Sequence, residues 1–315
     1  MTAPSATNTT ASANHTAASV VADSADWELS ILPRMPRAVP TSLHARVVSH
    51  QRLGERYMDL VLDAPKIAAT AQPGQFVMLT VARRGHSVPV LPRPMAIYST
   101  DVDAGLIQIL YGVVGDGTRE LATFAPDELM FVVGPLGRPF EVAPDVSSVL
   151  MIGRGIGTCS LTSVAEANAR RGIDTIAVTS SRSVVDSIGG DLYRAAGSSA
   201  VYEVTDEDGS SDPEVLFERL TADWDASPPS LLLTCGSHRL TLLCERLAER
   251  WNAEVQVSVE AHMACGIGYC HGCASGARSE GDESPLICTD GPVFLWRPVV
   301  EPAGLEIVAS ERAEA

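Results

Sequence analysis

Residues 146–172 read VSSVLMIGRGIGTCSLTSVAEANARRG. An apolar strand run passes into a glycine-spaced turn and then into a segment with apolar residues at helical spacing. A strand, a tight turn and a helix N-terminus in that order present backbone N–H groups and the positive end of the helix dipole to a diphosphate. Gly153, Gly155 and Gly157 are therefore candidate nucleotide-binding positions. A Gly-x-Gly-x-Gly also occurs in βα turns that hold no ligand, and on these residues alone that alternative stays open. Downstream, DTIAVTSS (174–181) and SAVYEVT (199–205) read as strands around a helix over VVDSIGGDLYRA (184–195). LLLTC (231–235) then precedes a helix over LTLLCERLAERW (240–251). Strands alternating with helices predict a parallel α/β domain over 144–251.

Upstream the period changes from helical to alternating. LHARVVSHQ, YMDLVLDAP, FVMLTVA, MAIYS, LIQILYGVV and LMFVVGPLG are short strand-like runs between Gly/Pro breaks, a pattern that predicts a small β-barrel over 41–143. Residues 1–40, rich in Ala, Ser, Thr and Asn, read as a disordered tail, with the ELSILP run near Leu29 able to dock locally. The tail has neither the basic nor the apolar region of a secretory signal. Across the 315 residues, 39 acidic against 23 basic side chains give a net charge of −16, which repels phosphate backbones and argues against nucleic-acid binding. No run approaches the roughly 18 apolar residues of a membrane span. A cytoplasmic protein with reduced thiols is expected, which leaves the seven cysteines for metal or redox work.

Four of those cysteines are spaced in a telling way: Cys265-x4-Cys270-x2-Cys273, then Cys288. This spacing is that of plant-type [2Fe-2S] sites, in which four thiolates hold two irons. Gly266, Gly268 and Gly272 between the ligands permit close wrapping of the backbone around sulfide. A structural zinc or a thioredoxin-like Cys270/Cys273 pair are the alternatives. Zinc sites usually pair two Cys-x2-Cys knuckles, and a redox pair needs neither Cys265 nor Cys288. His262 and His271 read as neighbours of the site rather than ligands. The expected [2Fe-2S] domain covers 252–298, with a polar tail over 299–315.

These residues together resemble the electron-transfer subunit of class 1B dihydroorotate dehydrogenases, within the ferredoxin reductase-like superfamily. The resemblance spans residues 43–296 and rests on PGQF (73–76), RPMA (93–96), GDGT (115–118), GPLGRPF (134–140), the glycine turn, Cys235-Gly236, EAHMACGIGYCHGC (260–273) and CTDGPVF (288–294). It implies a two-domain core of β-barrel plus α/β sheet with a C-terminal [2Fe-2S] domain. FAD then falls to Arg93, Pro94, Met95, Ala96, Leu110, Tyr111, Gly112, Gly117 and Thr118, and the nucleotide to the glycine turn with Cys235 and Gly236. Cys265, Cys270, Cys273 and Cys288 occupy the cluster-ligand positions. The chain departs from the family pattern at Arg154, where a glycine is common, and at Ser160 and Ser237, where prolines are usual. It departs again at Ala96, often a hydroxyl residue, and at Gly112, often basic.

The implied function is a flavin and iron–sulfur oxidoreductase subunit that moves electrons between NAD(P)H and a partner oxidoreductase carrying the substrate site, in a hetero-oligomer. A flavin is what such a chain needs to divide a two-electron hydride into the single electrons a [2Fe-2S] centre takes. No catalytic residues of a separate substrate site are expected. NADH is the favoured nucleotide, although Arg182, flanked by serines, suits a 2′-phosphate whereas Asp206 and Glu207 suit a free ribose. Two other readings are a stand-alone reductase of an oxygenase and a non-catalytic redox sensor.

Overall fold

The computed structural model describes residues 27–32, 39–83, 91–276 and 284–298. A first strand, β1 (Trp27–Ile31), is followed by β2 (Thr41–Leu53), β3 (Tyr57–Asp63), the single-turn helix α1 (Pro65–Ala68), β4 (Phe76–Leu79), β5 (Arg93–Ala96), β6 (Ser99–Asp101), β7 (Leu106–Gly112), helix α2 (Asp116–Leu121) and β8 (Leu129–Leu136). Strands β2 to β8 form one antiparallel sheet in the order β5-β4-β8-β2-β3-β7-β6. Strands β5 and β6 lie at opposite edges of this sheet yet adjoin in sequence. Ile97 N donates to Gln75 O at 3.0 Å and Tyr98 N to Gln108 O at 2.9 Å, which draws the edges together into a curled half-barrel. The alternation seen in the sequence fills its interior: Leu60 and Leu62, Val77 and Leu79, Ile107 and Ile109 are fully buried.

The α/β part follows as β9 (Ser148–Arg154), a 3-10 turn (Gly155–Thr158), α3 (Cys159–Arg171), β10 (Asp174–Ser181), α4 (Gly190–Ala195), β11 (Ala200–Thr205), α5 (Pro213–Trp224), β12 (Leu231–Cys235), α6 (His238–Trp251), β13 (Glu254–Ser258) and β14 (Val293–Pro298). The second sheet runs β1-β14-β13-β12-β9-β10-β11, with β13, β12, β9, β10 and β11 mutually parallel. The chain leaves β9 toward β10 and β11, then returns to place β12 and β13 on the other side. The crevice beyond β9 and β12 is therefore a topological switch point, where open α/β sheets bind ligands.

Four expectations change. Residues 27–31 lie inside the expected tail but form β1, antiparallel to β14 over Trp27↔Pro298 to Ile31↔Phe294, with Leu29 buried in the core. Residues 252–298, expected as the [2Fe-2S] domain, also build the α/β sheet, since β13 and β14 complete it and the loop between them carries the four spaced cysteines. The helix expected over 184–195 is broken: Gly189 takes φ +92° and α4 starts after it. Helix α5 was not anticipated, although Asp212 caps it by accepting from Glu214 N at 2.9 Å and Pro213 opens its first turn. The rest of the tail, 1–26 and 33–38, and the tail over 299–315 lie outside the described residues.

One apolar core joins all three regions. Phe76, Met78 and Leu136 of the half-barrel pack with Leu150, Val257, Phe294 and Trp296 of the α/β sheet, and with Cys273, Ile287 and Cys288 of the cysteine loop. Trp296 is 1% exposed and its Nε1 donates to Glu245 Oε2 at 3.2 Å. Trp296→Ala is expected to cost about 3–5 kcal/mol from lost transfer energy and the cavity left behind, read as a lower urea midpoint with an unchanged slope.

Candidate functional site

A cleft of about 830 Å³ opens where the half-barrel, the switch point and the root of the cysteine loop meet. Pro94, Met95 and Ala96 of β5, with Leu110, Tyr111 and Gly112 of β7, line its barrel wall. Thr118 adjoins them, and Gly155 and Gly236 line the α/β wall. Of the residues expected from sequence, these nine reach the cleft. Arg93, Gly117, Gly153, Gly157 and Cys235 are not among its lining residues. Arg56, Tyr57 and Asp186, which lie outside the quoted motifs, also line the cleft, as do Glu260 and Met263 of the EAHMACGIGYCHGC stretch, to which the sequence assigned no individual role.

The glycines of the turn set how closely it can fold. A Cβ on Gly157 would sit 2.7 Å from both Cys235 O and Gly236 Cα, so the turn after β9 lies directly on the end of β12. A Cβ on Gly153 would meet Thr158 Cα at 2.7 Å. Gly155 differs, with φ +52° and only Tyr57 Oη near its missing Cβ, at 3.6 Å, which leaves its backbone open to the cleft. Cys235 is buried, its Sγ 3.7 Å from Ser160 Oγ, and burial pushes its thiol up to about 12. It is a packing residue rather than a nucleophile.

Arg154, which replaces a family glycine, neither blocks the turn nor offers its guanidinium freely to a phosphate. Its backbone is in register with Ser180, and its Nη1 donates to Ser180 Oγ at 2.8 Å and to Asp206 Oδ1 at 3.2 Å. Asp206, just past β11, also accepts from Arg239 and Ser211. Burial opposes ionisation of Asp206, but the hydrogen bonds from Arg154, Ser211 and Arg239 outweigh it and hold the carboxyl well below the usual carboxylate range. The arginine thus ties together the ends of three adjacent strands, and the carboxylate expected to suit a free ribose is engaged.

On the barrel side, the Thr118 hydroxyl accepts from Val114 N at 2.9 Å and Gly115 N at 3.0 Å and donates to Gly115 O at 3.0 Å. Its donor and both acceptor sites are used. Thr118 therefore shapes the loop before α2, and its side chain has no capacity left for a phosphate. Arg93 is the charged group there. Its Nη1 donates only to the carbonyls of Leu91 at 3.0 Å and Pro92 at 3.3 Å, and its guanidinium lies against the bare Cα of Gly117. A cation held by carbonyls, beside a glycine that leaves room for it, fits the phosphate end of a flavin dinucleotide.

The cysteine loop arranges its sulfurs as two pairs. Cys265 lies beside Cys270, and Cys273 beside Cys288, each close enough to influence its neighbour's ionisation. Cys270 N points at Cys265 Sγ (3.4 Å) and Gly268 N at Cys288 Sγ (3.1 Å). Positive φ at Gly266, Gly268 and His271 turns these amides inward. Burial works against a thiolate at Cys265, but the backbone N–H groups of Ile267, Cys270 and Tyr269 more than compensate and bring it down to about 7. The hydrogen bond from Cys288 lowers Cys273 to about 6, while Cys288 keeps the shared proton. Among the described residues, no three His, Cys, Asp or Glu side chains converge as one metal ion requires. Two pairs of thiols under backbone amides instead suit two irons with two thiolates each. A Cβ on Gly266 would strike Met78 Cγ at 2.5 Å, so the loop sits directly on the barrel core. Just before it, the exposed Glu260 opens onto the cleft.

A half-barrel and a parallel sheet meeting at a switch-point cleft, with a cysteine loop at its root, make up a ferredoxin-reductase-like fold. The same fold is seen in the NADH-dependent reduced ferredoxin-NADP oxidoreductase, at TM-score 0.66 and 24% identity over 80% of this chain and 87% of that one. The ferredoxin reductase of carbazole 1,9a-dioxygenase has it too, at TM-score 0.52 and 17% identity over 70% of this chain and 68% of that one. The family model for the iron–sulfur cluster binding domain of dihydroorotate dehydrogenase B matches residues 260–300. The dihydroorotate dehydrogenase B (NAD(+)) electron transfer subunit of Bacillus caldolyticus is 31% identical over 261 residues, covering 81% of this chain and 96% of its own length. Its counterpart from Listeria monocytogenes is 28% identical over 251 residues, covering 79% and 95%. The chain belongs to the family of dihydroorotate dehydrogenase B electron transfer subunits.

Proposed function

We propose that this protein passes electrons between a pyridine nucleotide and a partner oxidoreductase subunit that carries the substrate site, through FAD and a [2Fe-2S] cluster. One observation carries the reading. A single cleft is lined by the β5 and β7 residues of the flavin wall, by Gly155 and Gly236 of the nucleotide turn, and by Glu260, Ala261 and Met263 at the root of the cluster loop. A flavin held there would supply the chemistry the relay needs, taking the two electrons of one hydride from a nicotinamide and giving them up singly to a one-electron cluster.

The chain's own residues do the positioning. Arg93 anchors the flavin phosphates, and Pro94, Met95 and Ala96 hold the ring against the cleft wall. The amides of the turn after β9 and the N-terminal end of α3 receive the nucleotide diphosphate. Cys265 and Cys270 would hold one iron and Cys273 and Cys288 the other, with the amides of Gly268 and Cys270 placed to stabilise sulfur charge. The shared core of Met78, Leu136, Cys273 and Cys288 fixes the cluster loop against the flavin wall, so the relay geometry is rigid.

Similarity to electron transfer subunits supports a dihydroorotate dehydrogenase as the partner, in a hetero-oligomer. All seven cysteines are free thiols, which fits a reducing compartment such as the cytoplasm. Among the described residues no helix is long and apolar enough to cross a membrane. Anaerobic stopped-flow mixing with NADH tests the reading. Flavin bleaching followed by reduction of the cluster is expected, and copurification with the partner in fixed stoichiometry separates a subunit from a stand-alone reductase. Bleaching by the reduced partner but not by NADH would overturn entry of electrons at this cleft.

A further inference from the structure

We propose that the cleft accepts dinucleotides bearing a 2′-phosphate, NADP(H) as well as NAD(H), with Arg182 as the phosphate's partner; this rests on the nucleotide reading given above. In a doubly wound sheet, the adenosine ribose lies beyond the carboxyl end of the strand next to the glycine turn. There a carboxylate accepts from a free 2′-hydroxyl, or an arginine meets a 2′-phosphate. Here that strand is β10, parallel to β9 and ending at Ser181. Arg182 follows at once, exposed and lining the same cleft as Gly155 and Gly236.

Four arginines line this cleft, and three are engaged. Arg52 donates to Glu55 O at 2.7 Å, Arg56 pairs with Asp186 at 3.1 Å, and Arg154 is held by Ser180 and Asp206. Among the described residues, the Arg182 guanidinium has no hydrogen-bond or ion-pair partner. Two of the carboxylates near it are already occupied, and a third, Glu207, whose N donates to Arg182 O at 3.1 Å, has no side-chain partner among the described residues and does not line the cleft. Asp206 accepts from Arg154, Arg239 and Ser211, and Asp186 accepts from Arg56 and from Ser183 Oγ at 3.2 Å. Glu260 stands across the switch point, beyond β13, and cannot serve the β10 side. The ribose end of the cleft therefore offers an unneutralised guanidinium in its lining, while the unengaged carboxylate beside it, Glu207, stands outside that lining. That combination suits a phosphate dianion better than a hydroxyl.

Isothermal titration of the full-length, FAD-loaded protein with 5′-AMP and with 2′,5′-ADP isolates the 2′-phosphate. The second ligand is expected to bind about ten-fold more tightly or better, with an advantage that shrinks as salt is raised. Arg182→Ala should erase that advantage, and Arg182→Lys should keep part of it because a point charge remains without the planar fork. Equal affinities in the unaltered protein, or an advantage that survives in Arg182→Ala, would overturn the assignment while leaving the nucleotide cleft in place. If 5′-AMP, 2′,5′-ADP and NADH all fail to bind, the nucleotide reading falls with it.

Discussion

Cys270→Ser is expected to abolish the iron–sulfur chromophore and leave the flavin bound. Cys270 is the exposed member of its pair, and its backbone amide also donates to Cys265 Sγ at 3.4 Å. The substitution removes one of four thiolates while keeping the backbone that organises another. A serine hydroxyl is a harder and less acidic donor than a thiolate, so the iron shared by Cys265 and Cys270 loses a ligand it cannot replace. Cys273 and Cys288 lie deeper, at 4% and 1% exposure within the common core, so the fold does not depend on Cys270. Iron and acid-labile sulfide should fall from roughly two each per chain to none. NADH-driven reduction of a small dye through the flavin should persist, and electron delivery to the partner subunit should stop. Stoichiometric zinc, without iron–sulfur absorption in anaerobically prepared unaltered protein, would contradict the cluster and return the four thiols to a structural role.

What the sequence made legible was whatever is carried by local pattern. The glycine turn, the cysteine spacing and the alternating runs that became β3, β7 and β8 all declare themselves within a few residues. Strands β13 and β14 did not. EVQVS and VFLWRP are short and largely buried, so they show no lasting alternation, and their pairing depends on partners far away in the chain. Strand β1 is a clearer case, because its partner β14 lies at the opposite end of the described chain. Helix α5 has a local signal in Asp212 and Pro213, but a weak one beside the strands on either side of it. Arg154 shows a different limit. Its departure from glycine is visible in the sequence, but its direction is set by Asp206, 52 residues on, which the order β9-β10-β11 brings within reach. Thr118 likewise reads as a phosphate ligand until its three hydrogen bonds are seen.

Gly117→Ala and Arg93→Ala are expected to cause the same defect, loss of FAD, and the double substitution should be little worse than either. A Cβ built on Gly117 falls onto the Arg93 guanidinium, meeting Nε, Cζ and Nη2. The obstructed atoms are the far end of a flexible side chain, so the α2 loop folds and the arginine swings away. Helix α2 itself is held independently by the Thr118 hydroxyl across Val114 and Gly115. The single methyl group therefore acts at a distance, by removing the cation from the flavin's phosphates. A charge-assisted contact of this kind is worth about 1.5–3 kcal/mol, so each single change should weaken FAD by about ten-fold to a hundred-fold. Because both act through one guanidinium, the two effects should couple strongly instead of adding. Titrating FAD into deflavinated protein, followed by flavin fluorescence quenching, reads this directly, with thermal melting as the check that each variant folds. Additive losses would mean that Gly117 serves the flavin through its own backbone, and that the guanidinium beside it is a bystander.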